Sequence, residues 1–385
     1  MSLVVIGANA TVARAAATLE QDLIHVQLPG SPHVEECAAT SFLFDYRERA
    51  PFLAFVDEVL APLSPAAIVS LTELGLEPAA AAAERLGTAG TALSVVRAMR
   101  NKLTMRRLLA ERAPQLNVAF AAADDPTAVE RLFAGHSPVV VKPVAGSGSA
   151  EVALVHQVSE LPASRRTADT IVEQFVGGVE FSVEALSCRG RHTVIGIAEK
   201  GTTTGFVEVS HVMPPHSLDE SRRELIERAV CQLLDALGLT DGPSHSEFKI
   251  NGDRVAVIET HNRLGGDGIA DLVKLTRGID WRRCALGWAV GAGVQRELVT
   301  APAAATVFFT APPGRVTAIA ERPALKHGLI VDWQVTAELG DEVALLRSSS
   351  DRLGWATLTA ADPSACAKAV AELTGMRIVT TEPIV

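Results

Sequence analysis

The segment "EFKINGDRVAVIETHNRLGGD", residues 247–267, sets Glu247, Glu259, Asn262 and Arg263 around two apolar runs that flank Asn251-Gly252. With Asn251-Gly252-Asp253 as a three-residue hairpin loop, Ile250 pairs with Arg254 and Glu247 lies opposite Val257. Glu259 is then the diagonal neighbour of Glu247 on the same face. Two carboxylates on one face repel unless a cation lies between them. Hard oxygen ligands at that spacing suit Mg²⁺, which takes one or two carboxylates plus substrate phosphates. Either Asn262 or His261 completes the set, with Asn262 the preferred third ligand. Arg263 is placed to hold an anion by paired bonds, and Gly265-Gly266 lets the chain turn close to it.

Two further stretches suit a nucleotide. In "VVVKPVAGSGSAEV", Lys142 ends an apolar β run and precedes Gly146, Ser147, Gly148 and Ser149. Such a loop lets backbone N–H groups approach phosphate oxygens with no Cβ in the way, and a lysine adds a point charge. It is not a Walker A sequence. In "IVEQFVGGVEFSVE", Glu173 closes a strand and Gln174-Phe175-Val176 forms a short linker before Glu180. An extended linker offers N–H and C=O groups to a purine edge, and a nearby carboxylate can accept from ribose hydroxyls.

These residues need positioning elements. Residues 3–6 read as a buried strand, followed by a glycine turn and a helix over 11–20, the opening of an α/β unit. The turn lacks the G-x-G-x-x-G spacing, which weighs against a dinucleotide oxidoreductase. A second strand spans 66–75 and ends in Thr72 and Glu73; a helix spans 78–87, with Pro near its start and Gly at its end. Ligands of such parallel sheets bind in the crevice at the strand ends. A basic helix spans 99–111, a strand–loop–strand unit 137–156, two or three antiparallel strands 169–200, an amphipathic helix 221–237 and a last helix 365–373.

Length and composition set limits. The 385 residues suggest two to three domains, and 48% apolar content supports a packed core. A net charge of −10 argues against a nucleic-acid surface. Cys37, Cys188, Cys231, Cys284 and Cys366 are odd in number and widely spaced, which argues against a zinc site or disulfide scaffold and fits a reduced, cytoplasmic chain. No signal peptide or membrane span is read.

The order of these motifs resembles the ATP-grasp superfamily, nearest its amino-acid ligases and carboxylase-like members. "RNKLTMRRLLAE" looks like the segment with the first ATP lysine, here Lys102, and "VVVKP" like the second, Lys142. "GSGS" resembles the flexible loop over the phosphates. The resemblance implies that Glu173 and the Phe175-Val176 backbone meet adenine, Glu180 meets ribose, and Lys200 lies near the nucleotide. Glu247 and Glu259 become the magnesium ligands. His261 stands where the family's asparagine usually does, with Asn262 shifted by one.

The implied fold is α/β, α+β in the ATP-gripping part: an N-terminal doubly wound parallel-sheet domain over 1–98, connecting helices over 99–135, a mobile lid over 136–200 and a C-terminal mixed-sheet domain over 201–385. The implied activity is an ADP-forming carboxylate–amine ligase that uses ATP with two Mg²⁺ ions, Mn²⁺ being the alternative. An acyl phosphate is the intermediate, and Arg263 and Lys142 are its catalytic residues. The implied partners are ATP and small carboxylate and amine substrates, with no nucleic acid, no membrane and a homodimer as the assembly. An ATP-dependent carboxylase working through carboxyphosphate and a non-catalytic nucleotide binder are the competing readings. A loop over 200–216, with Thr202, Thr204 and His211, is a candidate for meeting the substrate.

Overall fold

The computed structural model describes residues 2–31, 40–146 and 148–384, so Cys37 and Ser147 lie outside the described residues. The N-terminal part is built on a four-stranded parallel sheet in the order Thr40–Leu43, Asp22–Gln27, Ser2–Ile6, Ala67–Val69. Its central strand is apolar and buried on both faces, as a covered parallel sheet requires. The Asn9 side chain accepts from the Val12 N–H at 2.9 Å and starts the helix Ala10–Ala17. The strand expected over 66–75 stops at Val69. There the Ser70 hydroxyl accepts the Thr72 N–H at 3.1 Å and turns the chain, which leaves Thr72 and Glu73 at the mouth of the sheet.

The helix expected over 99–111 is two helices, Leu93–Arg100 and Lys102–Arg112. Asn101 breaks it by taking an extended backbone (φ −105°, ψ 105°) and accepting the Thr104 N–H at 2.9 Å. Lys102 therefore opens the second helix, with its own N–H bonded to the Val144 carbonyl at 2.8 Å.

A small antiparallel sheet follows, in the order Phe120–Ala122, Thr170–Gln174, Val139–Pro143, Ala153–Val155, packed on the helix Pro126–His136 through Val129, Leu132 and Phe133. It takes in a strand ahead of residue 136, while residues 179–200 pair with a different sheet. The linker between the two sheets passes Gly178 (φ +105°), where a Cβ would lie 2.0 Å from the Ile250 carbonyl oxygen. Only glycine fits there.

The large sheet has eight antiparallel strands in the order Arg254–His261, Gly242–Asn251, Val179–Cys188, Arg191–Thr202, Glu208–Met213, Ala303–Phe308, Gly354–Ala360, Leu329–Val335. Alternation along its strands gives it two chemistries. Phe181, Val183, Phe248 and Ile250 face the helix Glu220–Leu237 and bury against Ile226, Val230 and Leu233, each contributing about 1.5–3 kcal/mol. Asp219 caps that helix at its start, and Gly238 (φ +77°) ends it. The intervening residues, Glu180, Ser182 and Glu184 on one strand and His245, Glu247 and Lys249 on the next, point the other way and form a polar floor. The helix Pro363–Thr374 covers the far strands through Cys366, Ala369 and Leu373. Among the described residues no helix is long and apolar enough to cross a membrane, and the four described cysteines are free thiols.

Candidate active site

Over the polar floor lies a cavity of about 860 Å³. The hairpin that supplies its carboxylates has a two-residue turn, Gly252-Asp253, with Asn251 opposite Arg254 and Phe248 opposite Val257. That corrects the expected three-residue loop. A β-bulge then places Glu247 directly opposite Glu259, with Ile258 as the extra residue. Without the bulge Glu259 would share the core face of Val255 and Val257; one added residue flips it into the cavity. The Ile258 carbonyl, freed from the ladder, accepts from Arg106 Nη2 at 3.3 Å and Lys142 Nζ at 3.4 Å.

Opposed carboxylates repel, and each has its own cation. Lys102 Nζ lies 2.9 Å from Glu259 Oε2. Lys200 Nζ lies 2.6 Å from Glu247, 2.9 Å from Glu180 and 3.1 Å from Glu208. Burial opposes the ionisation of Glu247, but Lys200 outweighs it and the carboxyl is held at about 2. Glu259 is held well below its ordinary range against the same burial, chiefly by Lys102. Lys200 is pushed well above its usual value, since its three carboxylates overcome desolvation.

Two ionised, facing carboxylates aimed into a cavity are the donor set Mg²⁺ takes. Among the described residues no group of three or more His, Cys, Asp or Glu is arranged to hold an ion by itself. An ion held by Glu247 and Glu259 thus fits with substrate phosphate and water as its other ligands. Asn262 does not join them. It is buried in a separate small cavity with Ile68, Val69 and Ser70. His261 is the neighbour on the cavity side, with Nε2 3.5 Å from Glu259 and Nδ1 3.4 Å from Glu73.

Of the other expected residues, Lys102, Lys142, Gly146, Gly148 and Ser149 line the main cavity, as do Glu173, Phe175, Val176, Glu180 and Arg263. Lys200 sits behind its wall, 6% exposed. Glu173 is committed to cations: Arg106 bonds it at 2.8 and 3.3 Å and Lys142 at 2.8 Å. Phe175 meets Phe206 edge-on at 6.4 Å, and Lys249 lies over both rings. The loop expected over 200–216 is partly the strand Glu208–Met213, from which Glu208 and His211 line the cavity.

Sequence reasoning missed Arg106, which is fully buried. Its spacing of four from Lys102 puts both on one helix face. Burial opposes the ionisation of Glu173, yet Arg106 and Lys142 hold its carboxyl at about 2, below its ordinary 4.5. A lowered carboxyl contributes stability that is present above the unfolded value and lost as pH falls through the folded one. The contribution is on the order of 3 kcal/mol. We expect wild-type stability to fall steeply between about pH 4.5 and pH 2, and Glu173→Gln to show a shallower fall. Denaturant unfolding across that range checks this, and equal slopes would remove Glu173 as the cause.

The opposite end of the cavity joins the N-terminal sheet. Arg263 Nε bonds Glu73 Oε2 at 2.7 Å, and Nη1 donates to the Leu264 carbonyl at 2.8 Å. Glu73 also takes Arg100 at 2.8 Å. Burial opposes the ionisation of Glu73, but His261 and Arg263 hold its carboxyl well below the usual carboxylate range. Glu184, fully buried, accepts from His245 Nδ1 at 2.5 Å, Trp281 Nε1 at 2.5 Å and the Gly265 N–H at 3.1 Å. A Cβ at Gly265 would sit 2.7 Å from both Glu184 and His245, so glycine is what lets the Arg263 turn approach the floor. His245 bridges to Glu247 at 3.2 Å; burial lowers it, but the two carboxylates raise it to about 9. Glu184 and His245 were legible as floor-facing neighbours of Glu180 and Glu247 at even spacing.

Residues 162–271 match the ATP-grasp domain family, and residues 307–379 match the L-amino acid ligase C-terminal domain 2 family. Alanine–anticapsin ligase of Bacillus subtilis is 25% identical over 246 residues, 56% of this chain and 52% of its own. D-alanine–D-alanine ligase of Pediococcus pentosaceus is 31% identical over 144 residues, 33% of this chain and 39% of its own. The chain thus spans about a third to a half of the length of these curated relatives. The crystal structure of L-amino acid ligase from Bacillus licheniformis superposes over 100% of this chain and 99% of its own, with TM-score 0.79 and 23% identity. That of phosphoribosylglycinamide synthetase from Anaerococcus prevotii does so with TM-score 0.73 and 16% identity, over the same shares. These likenesses are of fold, and the fold is the expected α/β ATP-grasp architecture. The chain carries an ATP-grasp domain over residues 162–271 and an L-amino acid ligase C-terminal domain 2 over residues 307–379.

Proposed function

We propose that this protein is an ADP-forming carboxylate–amine ligase that activates an amino-acid carboxylate with ATP and joins it to an amine or second amino acid. The observation that carries the reading is the directly opposed pair Glu247 and Glu259 between Lys102, Lys142 and Arg263 in one continuous cavity. Relatives named for joining amino acids support the same class.

In this reading adenine lies toward Phe175, Val176 and Phe206, the ribose near Glu180, and the phosphates by Gly146, Gly148 and Ser149 beside Lys102 and Lys142. Glu247 and Glu259 would hold magnesium, proposed as two ions, which would supply positive charge to the phosphate oxygens. The substrate carboxylate attacks the γ-phosphorus, the bond to the β-phosphate oxygen breaks, and ADP leaves an acyl phosphate. Lys142 stabilises charge spread over the transferred phosphoryl group. Arg263 holds the acyl phosphate and the oxyanion that forms when the amine adds to the acyl carbon. Phosphate leaves, and the amine loses its proton. Closure of the lid excludes water, which would otherwise hydrolyse the intermediate. A cytoplasmic setting supplies ATP and keeps the thiols reduced.

The test is phosphate release from ATP and Mg²⁺ with pooled amino acids and amines, with and without bicarbonate, identifying the nucleotide product. ADP and phosphate that require amino acids are expected. Turnover that needs bicarbonate would move the assignment to a carboxylase, and AMP would overturn the mechanism.

A further inference from the structure

The segment 347–352 belongs to the C-terminal domain, yet Ser349 lines the main cavity beside Gly148. The turn is preorganised: Asp351 Oδ2 accepts the Arg347 and Ser348 N–H groups at 2.9 and 2.8 Å and the Ser348 hydroxyl at 3.0 Å. From this turn Ser349 reaches two ways. Its N–H donates to the Gly148 carbonyl at 3.1 Å, and its hydroxyl donates to Glu208 Oε2 at 2.9 Å. Glu208 in turn holds Lys200, the partner of Glu180 and Glu247.

Arg352 reaches a third way. It grips Asp267 with both terminal nitrogens, at 2.8 and 2.6 Å, and its Nε donates to the Ser349 carbonyl at 2.7 Å. Its guanidinium lies 3.7 Å over the Phe308 ring. Asp267 follows Gly265-Gly266 in the turn after Arg263, at φ +59°, a left-handed backbone unusual for a residue with a Cβ. Burial opposes its ionisation, but His211 and Arg352 keep its carboxyl well below the usual range.

We propose that Ser349 and Arg352 are positioning residues of the active site: the C-terminal domain latches the glycine loop through the Ser349 N–H and ties it, through Arg352, to the turn at the acyl end. One rigid turn then connects the phosphate cover, the Lys200 cluster and the acyl turn, so the cover and the acyl turn are held as one unit. The reason is chemical. An acyl phosphate formed under an unlatched cover meets water before the amine. The inference rests on the nucleotide end assigned above.

The decisive variant is Ser349→Pro. Ser349 is the first residue of a short 3-10 turn, and Ser348 before it is extended (φ −153°, ψ 167°). A proline suits both positions. It replaces the donor with a methylene aimed at the Gly148 oxygen. Ser349→Ala keeps the N–H. Hydrogen exchange of the amides over 146–152, in protein free of nucleotide, is expected to be at least about fivefold faster in Ser349→Pro and close to wild type in Ser349→Ala. Arg352→Ala, which unseats the turn without a proline, is expected to speed the same exchange. Equal exchange in all the proteins overturns the latch, whether or not the chain is a ligase.

In turnover, Ser349→Pro and Arg352→Ala are expected to release several phosphates for each amide made, with Arg352→Lys in between. Wild-type coupling in both would also overturn the proposal. A wild-type protein that makes no amide would instead sink the ligase reading and leave the exchange result to stand by itself.

Discussion

Glu259→Gln is expected to lower ATP-dependent turnover at least about a hundredfold while the protein stays folded, because losing one of the two proposed carboxylate ligands would weaken both metal affinity and the charge the metal brings to the phosphates. The substitution keeps shape and removes one charge. Two effects on stability then oppose. Lys102, 2.9 Å from the lost carboxylate oxygen, is left without it. The repulsion between Glu259 and the directly opposed Glu247 disappears as well. Both are contacts at the cavity wall, so the unfolding midpoint should move little. The metal concentration for half-maximal activity should rise, and magnesium at high concentration should restore part of the rate. Turnover and metal dependence equal to wild type would remove Glu259 from the metal site.

That carboxylate illustrates what the sequence does and does not carry. The apolar runs around Asn251-Gly252 announce a hairpin, and the excess of charge beyond them announces a site. The register is another matter. Val255 and Val257 pack with the helix Glu220–Leu237, and strict alternation would send Glu259 there too. The bulge at Ile258 reverses the side, and a bulge leaves no mark in residue types, only in the packing of both faces. Once Glu259 is in the cavity, the period of two gives that side to His261, and Asn262 turns away.

The helix break at Asn101 was readable as a cap in mid-run, and recognising it puts Lys102 and Arg106 one turn apart on the same face. The strands Asp22–Gln27 and Thr40–Leu43 are short and were missed, since a run of four to six residues carries little periodicity. Least legible were the pairs between distant segments: Glu73 with Arg263, Glu184 with Trp281 and Arg352 with Asp267. Each joins residues whose types are ordinary and whose meeting is decided by the sheet order alone.

Arg263→Lys is expected to lower kcat by about a hundredfold, the scale of losing one preorganised oxyanion donor, while the KM for ATP changes only a few-fold. The proposed nucleotide end is lined by Lys102, Lys142, Phe175 and Phe206, none of which bonds Arg263. In the proposed mechanism Arg263 instead serves the acyl end. Its Nε is fixed on Glu73 at 2.7 Å and its Nη1 on the Leu264 carbonyl at 2.8 Å, so the plane of the fork is set before substrate arrives. Lysine keeps the charge but has no planar fork, and it cannot hold Glu73 and an acyl phosphate in the same fixed geometry. An interaction made only in the transition state lowers kcat and kcat/KM together, and that pattern is expected for the carboxylate substrate. Glu73→Gln loosens the guanidinium but leaves it in place, so it should shift the same parameters in the same direction, by less. A higher KM for ATP with kcat unchanged would place Arg263 on the nucleotide and leave the acyl phosphate without its proposed holder.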